Sequence, residues 1–146
     1  MMQKIPPLIT AFIQQQHIVS LACQHLGEIW CANCFYVFDE ELSRLIIFTN
    51  QTTQHGKLML ATPQIVGTIS RHTENIREIE GIQFSATAQL LDDKLEKQQA
   101  ILAYTAKFPV AKLMKSDVWE IRLDFIKHTT NKLMFAQKTI WQREIT

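Results

Sequence analysis

The chain has 146 residues and a mass of 16.9 kDa, and its fifteen Lys and Arg against fourteen Asp and Glu leave a formal net charge of +1. This is the length of one ordinary domain, so we expect a single unit over residues 1–146. A pI near 7.8 and the lack of a basic face or tail exclude the electrostatic signature of a nucleic-acid-binding protein.

The composition also argues against a membrane or secreted protein. No segment approaches the roughly 20 apolar residues that a membrane helix needs, and the first residues lack the apolar core of a signal peptide. The three cysteines form an odd set, which favours reduced thiols over a disulfide framework. We expect a cytoplasmic protein without a membrane partner.

The first third of the chain predicts a helix followed by a hairpin. Pro6 and Pro7 suit a first helical turn, and the apolar residues after them recur at helical spacing. From His17 the apolar residues alternate with period two, and residues 26–28 form a turn. The next strand, Ile29 to Phe38, is apolar on both faces, so we expect it to be covered on both sides.

The remainder alternates strands with two longer helices. A third strand runs from Leu45 to Phe48, and the cap and turn residues after it begin a helix that ends before Pro63. Asp93 and Glu96 have the spacing of a capping box and predict a helix to residue 107. Further strands are predicted over residues 65–69, 82–90, 119–125 and 133–141, which makes seven strands and three principal helices.

Together these elements predict a mainly β fold with some α. Sequential strands joined by short turns favour antiparallel pairing, because parallel pairs need long crossovers. Few helices are available to cover the sheet, and closure into a barrel would remove its exposed edges. We expect a six- to seven-stranded antiparallel barrel with three peripheral helices.

Cys31 and Cys34 form a C-x-x-C motif that could indicate zinc binding or thiol redox chemistry. On a strand, however, side chains three residues apart point to opposite faces and cannot converge on one metal. Structural zinc also needs about four ligands, and no second pair follows. We expect two packed core thiols and no metal site.

His55 marks a candidate anion site, because it falls in the first turn of the helix that follows the third strand. Free backbone N–H groups and the positive end of the helix dipole attract anions there. Its polar neighbours could complete a phosphate cradle: Thr49, Thr52, Thr53, Gln54 and Lys57. The alternative is that Thr52 caps the helix while the others are solvated.

The residues from Phe48 to Lys57, with Thr62-Pro63, resemble the segment after the third strand in FMN-binding split-barrel proteins of the pyridoxamine phosphate oxidase type. Residues 81–84 are similar to a glycine-led strand of that superfamily, and residues 119–123 to its late strand. Residues 29–33, 108–111 and 118–123 more closely resemble the small bacterial YhbP-like family, whose members are largely uncharacterised. The resemblance implies a split barrel.

The same resemblance implies FMN at a homodimer interface. By position, Ala32, Asn33 and Cys34 would pass near the isoalloxazine ring. The ribityl phosphate would be surrounded by Phe48, Thr49, Thr53, Gln54, His55 and Lys57. The large apolar residues Trp30, Trp119 and Trp141, too many for a small barrel to hide, also favour a homodimer.

Two departures distinguish this chain from the oxidases that it resembles. Gln54 and His55 stand where the oxidases carry an Arg-Lys pair, which replaces two fixed cations by a neutral amide and a titrating ring, so phosphate affinity should be lower. His128 and Thr129 stand where the oxidases have an aromatic residue beside the flavin.

Two functions therefore stay open for a small-molecule ligand. One is a flavin-dependent oxidoreductase of unknown substrate, in which FMN would carry the hydride chemistry. The other is a non-catalytic binding module for a flavin, a tetrapyrrole or another anionic ligand. No catalytic residue is assigned.

Overall fold

The computed structural model describes residues 4–132 and 137–145 and contains three helices and seven strands among them. Their bounds, in chain order, are α1 Pro7–Gln15, β1 Ile18–His25, β2 Glu28–Asp39, β3 Arg44–Phe48, α2 Gln54–Ala61, β4 Gln64–Ser70, β5 Glu80–Leu90, α3 Lys94–Lys107, β6 Val118–Thr130 and β7 Gln137–Gln142. Short 3₁₀ helices lie at Ile76–Glu78 and Pro109–Leu113. The predicted strand start at residues 133–136 lies outside the described residues.

One antiparallel sheet in the order β3-β2-β1-β4-β5-β6-β7 contains all seven strands, and β3 also pairs with β6. That additional pairing closes six strands into a barrel, while β7 extends the sheet beyond it. The first part of β6 pairs with β3 from Val118 to Arg122, and its last part pairs with β7 from Phe125 to Thr130. The predicted split barrel is thereby confirmed.

A register shift between β5 and β6 explains how β6 changes partners. Phe125 lies opposite Ser85 and Leu123 opposite Ala86, so Asp124 is the extra residue of a bulge. A bulge bends its strand and increases the local twist. The Asp124 carboxylate accepts a 2.7 Å hydrogen bond from the Thr87 hydroxyl, which holds the bend in place.

The turn predicted between β1 and β2 is a two-residue hairpin loop. His25 lies opposite Glu28, and the loop residues Leu26 and Gly27 have φ of +47° and +87°. Positive φ at both central residues defines the type I′ turn, whose twist matches that of antiparallel strands.

Alternate residues of the barrel strands point inward and form the main core. Helix α1 closes one end, where the Tyr36 hydroxyl donates a 2.6 Å hydrogen bond to the Ile13 carbonyl. Trp119 and Trp141 are 0% and 2% exposed, so their size was a wrong reason to expect a dimer. Trp30 is 48% exposed, so its exposure still favours a dimer.

A second, smaller core lies outside the barrel, where α3 and the following 3₁₀ helix pack against β3 and the start of β6. It is formed by Ile46, Leu91, Ala100, Tyr104, Ala111 and Val118. This packing partly covers Val37 near the end of β2, but it leaves Ile29 and Phe35 74% and 54% exposed. The prediction that β2 is covered on both sides was therefore wrong within one chain, because α3 reaches only part of the outer face.

The three cysteines are free and differ in their surroundings. Cys23 is buried and Cys34 packs against the core, whereas Cys31 is exposed on the outer face. The alternation of β2 thus separates Cys31 from Cys34 as predicted. The expectation of two packed thiols was wrong for Cys31, because its side of β2 has no covering helix.

Candidate functional site

The loop from β3 to α2 is folded tightly by its own polar groups. Thr53 is the N-cap of α2: its hydroxyl accepts a 3.0 Å bond from the Gly56 N–H and donates a 2.8 Å bond to the Asn50 carbonyl. A Cβ at residue 56 would come within 2.9 Å of the Gln51 Cα, so the turn needs glycine there. The cap is Thr53, so the alternative in which Thr52 caps the helix was wrong.

His55 lies over this loop and is held by two threonines. Its Nε2 is 2.7 Å from the Thr49 hydroxyl oxygen and 3.4 Å from that of Thr53. Burial lowers the pKa of the His55 imidazole below 6.5, because the charged ring would lose hydration. At neutral pH the ring is therefore uncharged and acts as a hydrogen-bonding group.

Two carboxylates lie beside the same loop. The Gln54 side-chain amide donates a 2.8 Å hydrogen bond to the Glu28 carboxylate at the start of β2. The Asp117 carboxylate accepts a 2.9 Å bond from the Gln51 N–H, just before β6. The predicted cation Lys57 is in the first turn of α2 and is exposed. Neither carboxylate could be recognised from local sequence, because both are distant from the loop in the chain.

The remaining residues predicted by resemblance lie around the loop and along β2. The Phe48 ring stacks on Tyr104 at 3.9 Å, so this side chain belongs to the outer core. Asn33 points outward and accepts a 2.6 Å bond from the Ser20 hydroxyl. Ala32 is half-buried, and burial raises the pKa of the inward-facing Cys34 thiol to about 11.

The uncovered outer face of the barrel carries an open cleft of about 510 Å³. Ligand pockets usually occupy about 300–1,000 Å³ and have mainly apolar walls. The walls come from five strands and include Cys31, Val66, Gly67, Phe84, Phe125 and Lys127. Gly67 makes room for the Phe84 ring, because a Cβ there would meet both that ring and the Ser20 carbonyl.

Strand β2 carries one residue at the loop before α2 and one at the cleft. Glu28 contacts Gln54, and Cys31 lines the cleft three residues further along. Side chains three residues apart on a strand point to opposite faces, so these two side chains lie on opposite faces of β2. The isolated glycine inside the β4 pattern was the sequence signal for the cleft, since such a glycine often marks a close approach.

His128 lies inside the barrel and not on the surface where the resemblance would place it beside a ligand. Its Nε2 is 2.9 Å from the Glu80 carboxylate, and its ring meets Phe12 of α1 edge-on at 5.7 Å. Lys132 also reaches Glu80 at 2.9 Å, and these hydrogen bonds lower the pKa of the Glu80 carboxyl against the opposing effect of burial. Its neighbour Thr129 is half-buried.

Among the described residues, no three or more His, Cys, Asp or Glu side chains are grouped so that they could hold a metal ion. Nor does the described part of the chain include a helix long and apolar enough to span a membrane.

Solved structures with the same architecture define the class of this protein. HutZ, the heme storage protein of Vibrio cholerae, matches with a TM-score of 0.68 and 12% identity over 97% of this chain and 96% of its own. A FAD-binding protein of Mesorhizobium loti matches at 0.70 and 14% over 88% and 96%. ChuZ of Campylobacter jejuni matches at 0.76 and 12% over 92% of this chain and 58% of its own. At these identities the likeness shows the fold, which is the split barrel of pyridoxamine phosphate oxidase-like proteins.

Relatives in sequence identify the family. A UPF0306 protein of Haemophilus ducreyi is 48% identical over 143 residues, which cover 97% of this chain and 98% of the relative. One from Yersinia pseudotuberculosis serotype O:3 is 40% identical over 136 residues, covering 93% and 92%. The chain belongs to the UPF0306 family. The scan against protein-family models gave no match.

Proposed function

We propose that this protein binds the planar ring system of a flavin in the outer-face cleft. The observation that supports this is the cleft of about 510 Å³, with its largely apolar walls and Lys127 among its lining residues. Planar rings bind well against such walls, because the apolar area removed from water stabilises the complex. The FAD-binding protein of the same fold adds support by analogy.

A homodimer would complete this site. The uncovered face carries Ile18, Ile29, Phe35 and Val66, each at least half exposed, around the cleft. Exposed apolar groups of this kind commonly mark protein interfaces. A second copy on this face would remove them from water and close the cleft over its ligand.

The chemistry that we propose is flavin-dependent oxidation or reduction of a small molecule, with the ring supplying the electron transfer. The test is an absorption spectrum of the purified protein after addition of riboflavin or FMN and removal of the excess. Retained flavin bands that bleach with NADH or NADPH support the oxidoreductase. Retained bands that no donor bleaches support a binding module instead, and the absence of retained flavin contradicts both forms.

A tetrapyrrole is the second candidate, favoured by the exposed Cys31 thiol in the wall of the cleft. A cysteine thiolate can serve as an axial ligand of heme iron, and HutZ is a heme storage protein of the same fold. Hemin titrated into wild type and Cys31→Ser distinguishes this candidate from the flavin. A shifted Soret band that Cys31→Ser abolishes supports heme binding, and identical spectra for the two proteins count against it.

A further inference from the structure

We infer that the open edge of β2, from Ile29 to Asn33, binds an extended segment of a partner protein, which joins the sheet as a further strand. The partner segment carries alternating apolar side chains and one cationic residue at its end. This contact is independent of the proposed flavin ligand. Three features of β2 support it: the register of its pairing, the side chains along its edge and the charge at its start.

The edge is open because β3 pairs with only the last part of β2. Strand β1 pairs along residues 28–35 on the opposite edge, whereas β3 pairs from Tyr36 onward. The Tyr36 N–H donates a 3.0 Å bond to the His17 carbonyl, so the even-numbered residues of β2 bond to β1. Because the main-chain groups of successive residues point to opposite edges, those of three residues point away from β1: Ile29, Cys31 and Asn33.

These main-chain groups have no hydrogen-bond partner within residues 4–132 and 137–145, and all three residues are exposed. Further along, the Phe35 carbonyl accepts a 3.5 Å bond from the Tyr104 hydroxyl, where α3 closes the edge. At about 3.3 Å per residue the open part is roughly 13 Å long, and its donors and acceptors recur at every second residue. An extended strand presents donors and acceptors with the same repeat.

This edge lacks the features by which proteins prevent the addition of a strand. Charged residues, proline and bulges usually disfavour pairing at an edge. Residues 29–38 contain no charged residue and no proline, and β1 and β2 pair without a bulge. Strand β7, which pairs with β6 alone among the described strands, carries Lys138 instead. The edge of β2 is therefore suited to receive a strand.

Apolar side chains and one carboxylate lie along the open edge. Ile29 is 74% exposed on one face of β2, and Trp30 is 48% exposed on the other. Tryptophan is enriched among the residues that contribute most to protein binding. The Glu28 carboxylate, at the start of β2, has the neutral Gln54 amide as its one partner among the described residues. A Lys or Arg of the partner opposite Glu28 would complement its charge.

The probe is the capped peptide acetyl-Val-Thr-Val-Thr-Val-Thr-Lys-amide, whose Lys lies opposite Glu28 in antiparallel pairing. Amide hydrogen exchange is followed by NMR. At about 90% occupancy we expect the Ile29, Cys31 and Asn33 amides to exchange about tenfold more slowly, because each exchanges only while the peptide is dissociated. The Trp30 and Ala32 amides, which bond to β1, should not change. No slowing up to the solubility limit of the peptide, or equal slowing at all these amides, overturns the inference.

Modified peptides test the main-chain bonds and the charge. One peptide is N-methylated at its threonines and another at its valines, so each loses the donors of one edge only. We expect one of them to bind like the parent peptide and the other to lose binding. Equal binding by both, or loss in both, overturns the inference. A peptide with Glu in place of Lys should bind more weakly, and equal binding would exclude the cationic residue.

A pair of variants tests the edge from the side of the protein. Asn33→Pro removes one N–H of the edge, at a position where an edge strand tolerates proline. Asn33→Ala keeps that N–H but also loses the side-chain bond to Ser20, so it is the matched control. The peptide should bind Asn33→Pro about two- to tenfold more weakly than Asn33→Ala, the range for one hydrogen bond. Equal affinities overturn the inference, and the methylated peptides decide on wild type if the proline variant does not fold.

The same amides distinguish other occupants of the edge. Slowing without peptide that grows with protein concentration would assign the edge to a second copy of this chain. Slowing by riboflavin but not by the peptide would assign it to the ring of the proposed ligand. Either result overturns the partner segment. If no flavin binds, the proposed function fails, while the peptide measurements still decide whether the edge receives a strand.

Discussion

At the scale of single residues, burial of the His55 ring in the loop before α2 makes the stability of the protein depend on pH. Its pKa lies below 6.5 in the folded protein and returns to about 6.5 on unfolding. The unfolded chain therefore binds more protons between the two values, and the free energy of unfolding rises with pH across that window. His55 thus contributes stability above pH 6.5 that is lost as the pH falls.

The variant His55→Gln should remove this contribution. We expect the difference in unfolding free energy between wild type and variant to shrink as urea titrations are moved from above pH 6.5 to below it. His17 is exposed and its ring makes no hydrogen bond among the described residues, so His17→Gln is the control for the loss of an imidazole as such. An NMR titration that placed the His55 pKa at or above 6.5 would contradict the prediction.

The sequence predicted which neighbouring residues form this loop, but not which charged groups lie beside it. Thr49, Thr53, Gln54 and His55 are consecutive or nearly so, and helix-start chemistry brings them together. Glu28 is 26 residues from Gln54, and Asp117 is 66 from Gln51. Such partners come together only when β2 and β6 take their places in the barrel, which local patterns do not specify.

At the scale of secondary-structure elements, the cap of α3 is the clearest local signal. The Asp93 carboxylate accepts a 3.1 Å hydrogen bond from the Glu96 N–H, as the capping spacing predicted. Asp93→Ala should lower the free energy of unfolding by about 1 kcal/mol. The adjacent Asp92→Ala removes the same charge without the cap and should cost clearly less in the same urea titration. Equal losses would assign the effect to charge alone.

Strand β4 offers a second test, because Gly67 lies where two neighbours approach. A Cβ there would be 2.6 Å from the Ser20 carbonyl oxygen and would also meet the Phe84 ring. Gly67→Ala should therefore cost about 1–3 kcal/mol of stability. Thr68→Ala, at an exposed position of the same strand, should change stability by less than about 0.5 kcal/mol.

A companion variant separates the two contacts at Gly67. Phe84→Leu in the Gly67→Ala background relieves the ring but leaves the Ser20 carbonyl in place. Gly67→Ala should therefore cost less stability in the Phe84→Leu background than in the wild type, but it should still cost some. Full recovery in a double-mutant cycle would show that the backbone contact carries no strain.

Periodicity predicted which segments form helices and strands, but it did not predict that part of β2 stays exposed to solvent. A strand that is apolar on both faces indicates two buried faces, yet Ile29 and Phe35 remain exposed in one chain. Periodicity reports which faces avoid water and not which chain covers them. The mismatch at β2 is therefore the sequence feature that most favours a partner.

At the scale of the whole molecule, the proposed dimer depends on the uncovered face. Val66 is 54% exposed and lines the cleft. Val66→Lys would bury an ammonium between two copies without a partner, which is unfavourable by several kcal/mol. Sedimentation equilibrium should give twice the chain mass of 16.9 kDa for wild type and the single-chain mass for the variant.

The control for this measurement is Leu113→Lys, at an 86% exposed position beyond α3. It introduces the same charge away from the proposed interface and should leave the dimer intact. A wild type that sediments as one chain at micromolar concentration would contradict the homodimer, and dissociation by both variants would place the interface elsewhere.

The double pairing of β6 has a consequence for biosynthesis. Strand β3 pairs with β6 across 70 or more positions of sequence, as in the Leu45 to Ile121 pair. While the ribosome is still making residues before Val118, the β6-facing edge of β3, which includes Leu45, Ile46 and Ile47, has no strand to pair with. Such edges recruit other chains. The nascent protein is therefore most prone to aggregation late in translation, and slow decoding just before β6 would prolong that exposure.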